Sequence, residues 1–556
     1  MLLSGSDIII KTLIEQGCDT VFGYPGNQIL DVYESLYKYR RNVKHVLTAH
    51  EQGAAHAADG YARATGKPGV VIATSGPGAT NLVTGIATAH LDSVPMIAIT
   101  GNVMTSQIGS DAFQEIDITG ITLPITKHNY FVNSVEELAD TIRKAFKLAV
   151  SGRPGPVLID VPKDVQMAKC RYVPQGPVSA EEKFPAKEIR ICQAAKTIND
   201  AKRPYIYFGG GVVSSGAQEE MLALAEKIDA PMGCSMMGLS GIPSDHPGFL
   251  GMQGIHGHYA ASAAMQKADC IIALGVRFND RVTANNPKFC PDAKIVHIDV
   301  DGSELSKTVT AFHGLRADVK LTLQKMLPLI EKSEKKDWKK TVEDLREVQA
   351  ERFDTREGMT PRNVILTVNN HLSEDTPVVT DVGQHQLWSA QNFTFKKSRK
   401  FISSGGLGTM GFGLGAAIGA YFATGERPVL ITGDGSFGMS LNELATAVSY
   451  KVPVTIIIMN NGVLGMVRQC QTLYFNKHYS GTTLGRKTKF VKLAKAFGAD
   501  GAAVSSLEEL DSAIIKGANK KGPFIIDCAI DKDEFVYPTA PRMCIDQNTK
   551  KEGKKK

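Results

Sequence analysis

The sequence predicts an α/β protein of three doubly wound, parallel-sheet domains, and three observations carry that prediction. Short apolar strands alternate with helical stretches along most of the chain, the pattern of parallel sheets covered by helices on both faces. The alternation lapses at residues 169–187, a polar stretch with three prolines, and again at residues 331–359, where charges crowd together. At 556 residues the chain is also too long for one core; about three or four domains is the expectation from size alone.

In the first block, residues 1–168, the segments TVFGYPG, HVLTAHE, GVVIATSGPG, PMIAITG and PVLIDVP read as strand ends running into Gly/Pro-rich turns. The second block, residues 187–330, has strands near PYIYFG, CIIALG and KIVHIDV. The charged stretch after it reads as an exposed helix leading into a linker. The third block, residues 360–540, contains the apolar strands PVLIT (Pro428 to Thr432) and VTIIIM (Val454 to Met459). Residues 541–556 read as a basic tail, whose last seven residues hold five lysines against one glutamate.

Composition narrows the function classes. Hydrophobic residues make up 43% and charged residues 22%, the balance of an ordinary globular protein. No apolar run approaches the roughly 18 residues that span a bilayer, so no membrane role is expected. The net charge of +6 is partly the tail, and no basic stripe with interleaved aromatics appears, so no nucleic-acid partner is expected. The N-terminus, MLLSGSDIIIKTL, opens like a helix rather than a signal peptide. Nine cysteines without a C-x-x-C pair suggest reduced thiols and a cytoplasmic location.

The segment from Gly433 to Asn461 carries the most chemistry. One strand delivers Gly-Asp-Gly to a turn, and the next ends in Asn-Asn. In open α/β sheets, ligands bind beyond the carboxyl ends of strands. Asp434 and Asn461 therefore meet at one edge, as a carboxylate and an amide oxygen suited to Mg²⁺ held against a phosphorylated cofactor. Gly433 and Gly435 let the backbone approach a diphosphate. Elsewhere, His50-Glu51-Gln52 opens the stretch EQGAAHAADGYARATG, and Ser404 to Ala420 contains a literal G-x-G-x-x-G, Gly406 to Gly411. The last is set aside as a dinucleotide fingerprint because KKSRKFISS before it makes a poor buried strand.

Gly-Asp-Gly followed by about 25 residues and Asn-Asn resembles the motif of thiamine-diphosphate (ThDP) enzymes, and HEQGA...ADGYAR.TGKPG resembles the glutamate motif of their pyrimidine domain. FGYPG, ATSGPGATNLVTGIATAHLDSVPMIAITG, FQEIDITGITLPITKHN, GRPGPVLIDVPKDV, HGHYAASAAMQKADCIIALGVRFNDRVT and LGMVRQ together resemble acetohydroxyacid (acetolactate) synthases over about residues 3 to 535. The three domains are then pyrimidine-binding, FAD-binding-like and diphosphate-binding. The resemblance implies ThDP, Mg²⁺ and FAD as cofactors, with pyruvate and 2-oxobutyrate as substrates. It also implies a homodimer or homotetramer with active sites at the subunit interface, and a small regulatory subunit as a further partner.

Residue roles follow from the same resemblance. Glu51 would relay a proton to the cofactor's aminopyrimidine. Met410 would wedge between the cofactor's two rings. Gly26, Pro77, Gln384, His385, Gly408, Gly433, Gly435 and Ser436 would contact ThDP, and Asp434, Asn461 and Val463 would hold the metal. Phe113, Gln114 and Lys163 would line the channel, with Gln114 and Lys163 in the catalytic set. Arg281 would meet the carboxylate of the second 2-oxo acid, a task suited to a planar fork. Met466, Val467 and Cys470 would shape the acceptor site. Arg153, Gly209, Gly210, Gly211, His256, Arg277, Asp299 and Asp318 would contact FAD.

The sequence departs from the family pattern in four places. Asn27 and Gln28 follow Gly26 where the family has a second glycine, and Cys470 stands where a tryptophan is usual. Ile255 replaces a methionine, and Asn279-Asp280 replaces Asp-Asp. Acceptor choice is therefore the open point. The alternatives are another ThDP-dependent 2-oxo acid decarboxylase or carboligase, or a catalytically silent flavin- or nucleotide-binding scaffold.

Overall fold

Among the described residues of the computed structural model (1–179, 182–284, 289–485 and 487–536), three six-stranded sheets follow one another along the chain. The first runs in the spatial order Lys44–Leu47, Thr20–Tyr24, Gly69–Ala73, Met96–Asn102, Pro156–Pro162 and His128–Phe131. The second runs Phe249–Met252, Met232–Cys234, Pro204–Phe208, Cys270–Leu274, Lys294–Asp299 and His313–Arg316. The third runs Phe401–Ile402, Val378–Thr380, Val429–Gly433, Thr455–Asn460, Phe524–Ala529 and Asp500–Val504. The first two sheets pair in parallel throughout, as does the third from Val378–Thr380 to Asp500–Val504. The three α/β sheets expected from the sequence are present.

Central strands such as Gly69–Ala73 and Val429–Gly433 are buried along their whole length, which is why they read as continuous apolar runs rather than alternating ones. The chain divides into two compact units. One holds the first and third sheets; the other holds the middle sheet with Leu387–Phe401. In the first unit, helix Glu51–Thr65 packs on helix Phe412–Thr424 through small residues. A Cβ at Gly60 would lie 2.2 Å from the Ala416 carbonyl oxygen, and one at Gly419 only 1.9 Å from that of Ala57. Glycine is required at both, and the two backbones meet directly.

Two local expectations need correction. The charged stretch 331–359 is not simply an exposed helix. Helix Lys336–Glu351 buries Trp338, Val342 and Leu345 on one stripe, and the Trp338 indole N–H donates to the Pro204 carbonyl at 2.9 Å. The abundance of lysine and glutamate hid a 4-3 spacing of apolar residues. Residues Lys169–Arg171 are a strand paired antiparallel to Leu2–Ser4, not linker. The residues before the glycine-rich segment supply only Phe401–Ile402, two residues at the sheet edge, the poor buried strand that the sequence suggests. The basic tail, 541–556, lies outside the described residues.

Candidate active site

Strands Val429–Gly433 and Thr455–Asn460 pair in register, with Gly433 opposite Met459. That places Asp434 and Asn461 side by side at the carboxyl edge. Asp434 does not sit in a turn, as the sequence suggested, but opens helix Asp434–Ser440. One Asp434 oxygen, Oδ2, accepts the Gly462 N–H at 3.1 Å, and Asn461 Oδ1 accepts that of Val463 at 3.1 Å. The segment is clamped from outside: Leu464 N–H donates to the Thr482 carbonyl and Leu484 N–H to that of Gly462, each at 2.8 Å. Burial pushes the Asp434 carboxyl up to about 6, with the nearby Asp527 adding to it. Its ionised form is short of positive charge.

Two more predicted residues close on the same edge. Gln384 is buried and donates from Nε2 to Gln469 Oε1 at 2.9 Å. A Cβ at Gly465 would fall 1.9 Å from Gln384 Oε1 and 3.0 Å from Asn461 Nδ2, so Gly465 makes room for both. His385 faces Gly433, where a Cβ would lie 3.1 Å from its Nδ1. Burial drives His385 down to about 3, and its Nε2 has no hydrogen-bond partner among the described residues. A Cβ at Gly435 would meet Leu464 at 2.8 Å and the Met410 methyl at 3.9 Å, which puts Met410 over the same junction. Gly408 takes a left-handed backbone with φ 71°, and Ser436 Oγ donates to the Val382 carbonyl at 2.9 Å.

This cluster fits ThDP and a hard cation. Among the described residues no three His, Cys, Asp or Glu side chains converge as a metal cluster. A cation here would therefore be held by one carboxylate, one amide oxygen, a backbone carbonyl and the cofactor's own phosphates, the oxygen-only set that Mg²⁺ favours. Gly433 and Gly435 add no side chain of their own at the strand–helix junction, where His385, Leu464 and Met410 already crowd in.

A second cluster sits on the first sheet. Glu51 begins helix Glu51–Thr65, and its Oε2 accepts from Asn81 Nδ2 at 2.9 Å. A Cβ on Gly78 would lie 3.3 Å from Glu51 Oε1, placing the Pro77–Asn81 helix against the carboxylate. Gly26 packs on Thr74, where a Cβ would come within 2.4 Å. Gln114 adopts φ 64°, a strained conformation for a side-chain-bearing residue, directly over Gly76. Lys163 donates to the backbone oxygen of Asn27 at 3.3 Å and reaches its amide oxygen at 3.5 Å. The structure thus brings Gly26, Glu51, Pro77, Gln114 and Lys163 together at one edge. Phe113, at 81% exposure, projects away from the chain.

Met466, Val467 and Cys470 all lie on helix Gly465–Tyr474, with Met466 and Cys470 one turn apart on one face. Val467 is half exposed and Cys470 partly buried.

In the middle unit, the predicted flavin contacts gather beyond the carboxyl ends of the parallel strands. Gly209 follows Pro204–Phe208, Arg277 follows Cys270–Leu274, Asp299 ends Lys294–Asp299, and Asp318 follows His313–Arg316. Gly209 and Gly211 have a packing reason of their own, since a Cβ on either would come within 2.6 Å of Gly275. Only Gly210 has ordinary room, 3.4 Å from Met237. Asp318 caps the next helix through the Leu321 N–H and pairs with Lys183 at 3.3 Å. Asp299 accepts the Asp301 N–H at 2.8 Å. Burial and then Arg281 lower His256 to about 4. Arg281 is largely exposed and pairs with Asp280 at 3.3 Å. Arg153 belongs to the other compact unit, where its Nε donates to Ser93 Oγ at 2.8 Å.

Sequence reading missed Asn81, Gln469 and Glu443. Glu443 is buried and accepts the Ala49 N–H at 3.2 Å, just before Glu51. None sits in a motif whose spacing implies contact; Asn81 alone had a signal, its place four residues after Pro77 on a short helix.

Comparison with known proteins shows the family. Family models described as thiamine pyrophosphate enzyme match in all three blocks: the N-terminal TPP binding domain over residues 3–121, the central domain over 191–326 and the C-terminal TPP binding domain over 381–528. The acetolactate synthase isozyme 3 large subunit of Escherichia coli is 43% identical over 554 residues, covering 97% of this chain and 96% of that protein. Isozyme 2 of the same organism is 43% identical over 546 residues, covering 97% and 98%. A probable acetolactate synthase large subunit of Methanocaldococcus jannaschii is 44% identical over 557 residues, covering 97% and 94%. The chain belongs to the acetolactate synthase large-subunit family of thiamine pyrophosphate enzymes, and it is a ThDP-dependent enzyme of that type.

Proposed function

We propose that this family member condenses pyruvate, after decarboxylation, with a second 2-oxo acid, giving 2-acetolactate from pyruvate or 2-aceto-2-hydroxybutyrate from 2-oxobutyrate, for branched-chain amino acid biosynthesis. The observation that carries this reading is the convergence of Gln384, His385, Asp434 and Asn461 at the ends of two in-register strands. Bound ThDP supplies a carbon centre that stores the electrons released on decarboxylation. Asp434, Asn461 and the Val463 backbone would hold Mg²⁺, and Gln384, His385, Gly408 and Ser436 would contact the diphosphate. Glu51 would hold a proton at the far nitrogen of the aminopyrimidine, and Met410 would pack against the cofactor's rings. Lys163 and Gln114 line the substrate approach, and Arg281 offers its fork to the acceptor carboxylate. Incubation of the purified protein with pyruvate, ThDP and Mg²⁺ tests the reading: acetolactate supports it, and free acetaldehyde as the main product makes the protein a simple decarboxylase.

The assembly follows from the same reading. A homodimer or homotetramer sets Glu51 of one copy opposite the diphosphate edge of another, and a small regulatory subunit complements a large one. Among the described residues no helix is long and apolar enough to cross a membrane, and their cysteines are all free thiols. Both accord with a cytoplasmic enzyme.

FAD belongs to the middle unit in this reading, at the strand ends that carry Gly210, His256, Arg277, Asp299 and Asp318. The purified protein should show a flavin absorbance that bleaches little during turnover. A colourless preparation that gains neither activity nor thermal stability from added FAD would remove flavin from the cofactor set.

Acceptor choice turns on Cys470. A cysteine gives less apolar contact than the family's tryptophan, and one methylene in an apolar pocket is worth about 1–3 kcal/mol, roughly 10–200-fold in selectivity. When both acceptors compete, acetolactate should therefore dominate, and Cys470→Trp should shift the product ratio towards 2-aceto-2-hydroxybutyrate. A strong 2-oxobutyrate preference that tryptophan leaves unaltered would show that position 470 does not set acceptor choice.

A further inference from the structure

The glycine-rich segment that carries Met410 is gripped by a buried charge network from the first sheet's domain, and the site described above makes no use of it. Arg63, near the end of helix Glu51–Thr65, pairs through Nε with Asp59 at 2.5 Å and through Nη2 with Asp92 at 2.9 Å. Its side chain is 7% exposed, and both carboxylates are fully buried. Asp92 then turns to the segment: Oδ2 accepts the Gly405 N–H at 3.0 Å and Oδ1 that of Gly406 at 2.7 Å. A Cβ on Gly406 would itself lie 2.7 Å from Asp92 Oδ1, so that glycine admits the carboxylate. Arg63 Nη1 donates to the Ser403 carbonyl at 2.9 Å. Further along, the Thr88 and Thr409 hydroxyls meet at 2.7 Å, and Gly411 N–H donates to Asp381 Oδ1 at 2.8 Å. Both neighbours of Met410 are thus pinned.

Buried charges persist only where they are paired and hydrogen-bonded, and charge-assisted bonds to backbone N–H groups fix a chain more tightly than neutral ones. Arg63 is shared between the two carboxyl groups, and the two glycine N–H groups complete the hydrogen bonding of Asp92. The arrangement also gives Asp59 and Arg63 of the ADGYAR motif a physical purpose, since they sit one helical turn apart and aim the guanidinium at Asp92.

We propose that Asp92, oriented by Arg63, is a positioning residue that sets where Met410 stands against the bound cofactor. The proposal rests on the role assigned to Met410 above. Asp92→Asn keeps the size of the side chain but cannot accept from both glycines and Arg63 at once. In the holoenzyme it should lower kcat and the rate of proton exchange at the cofactor's reactive carbon in parallel, by about 10²-fold, the cost of a small misplacement at a reacting centre. KM for pyruvate should move much less. Met410→Ala should show the same loss, and the double variant should be no slower than Met410→Ala alone, because both changes act through one side chain.

Multiplying losses in the double variant would overturn the proposal while leaving Met410 in its role. If Met410→Ala left exchange at the wild-type rate, the assignment of Met410 would fall, and the proposal with it. A lower thermal midpoint for Asp92→Asn with unchanged kcat per folded enzyme would reduce Asp92 to a structural link and also overturn it. Thr88→Val, which deletes the contact to Thr409 without changing shape, carries the same readouts should Asp92→Asn not fold. A smaller parallel loss in kcat and exchange supports the proposal, and wild-type values for both count against it.

Discussion

Asp434→Ala should abolish Mg²⁺-dependent retention of ThDP. Asp434 is the charged member of the proposed ligand set, and its removal leaves Asn461 and a backbone carbonyl to face a divalent cation. Changes to residues that merely support metal ligands cost about 10–100-fold in affinity, so loss of the carboxylate itself should exceed that range. Titration of the cofactor-free variant with ThDP and Mg²⁺ gives the affinity directly. A thermal melt gives an independent reading: cofactor at about 100 times its Kd stabilises a folded protein by about 2.7 kcal/mol, and the variant should gain none of it. The geometry also predicts that the fold survives. The Gly462 N–H that the side chain accepts belongs to a segment that stays held by Thr482 and Leu484. Affinity equal to wild type would place the metal elsewhere.

The sequence made this edge legible for a physical reason. A parallel strand buried on both faces must be a continuous apolar run, and the residues that break the run mark its carboxyl end. PVLIT-Gly-Asp and VTIIIM-Asn-Asn therefore locate Asp434 and Asn461 without any knowledge of the sheet order. Gln384 and His385 were found only through the family resemblance, since nothing in DVGQHQLW shows that Gly433 and Gly465 leave them room. Contacts between domains were least visible. Asp92 meets Gly405 and Gly406 across more than 300 positions, and Glu443 meets Ala49 across almost 400. Only folding brings such residues together, and no local spacing encodes it. The helix after residue 335 shows the opposite difficulty, because its charges concealed the three apolar residues that anchor it.

Glu51→Gln should leave ThDP binding nearly intact and slow activation of the cofactor. Glutamine has the shape of glutamate and keeps an amide oxygen that can accept from Asn81 Nδ2, now 2.9 Å from Glu51 Oε2. Helix Glu51–Thr65 should therefore start where it does in the wild type, with His50 still accepting the Gln52 N–H at its head. What glutamine cannot do is give up and take back a proton at the pyrimidine ring. Loss of one acid–base partner costs about 10²–10⁴-fold, and the deficit should appear equally in kcat and in proton exchange at the reactive carbon. An alanine at 51 separates charge from shape: it should match glutamine in exchange rate but lose affinity for the cofactor as well. Asn81→Ala provides a further check, since freeing one carboxylate oxygen should reduce exchange less than removing the acid does. Near-wild-type exchange in Glu51→Gln would show that the proton reaches the pyrimidine by another route, and Glu51 would then be no more than the acidic first residue of its helix.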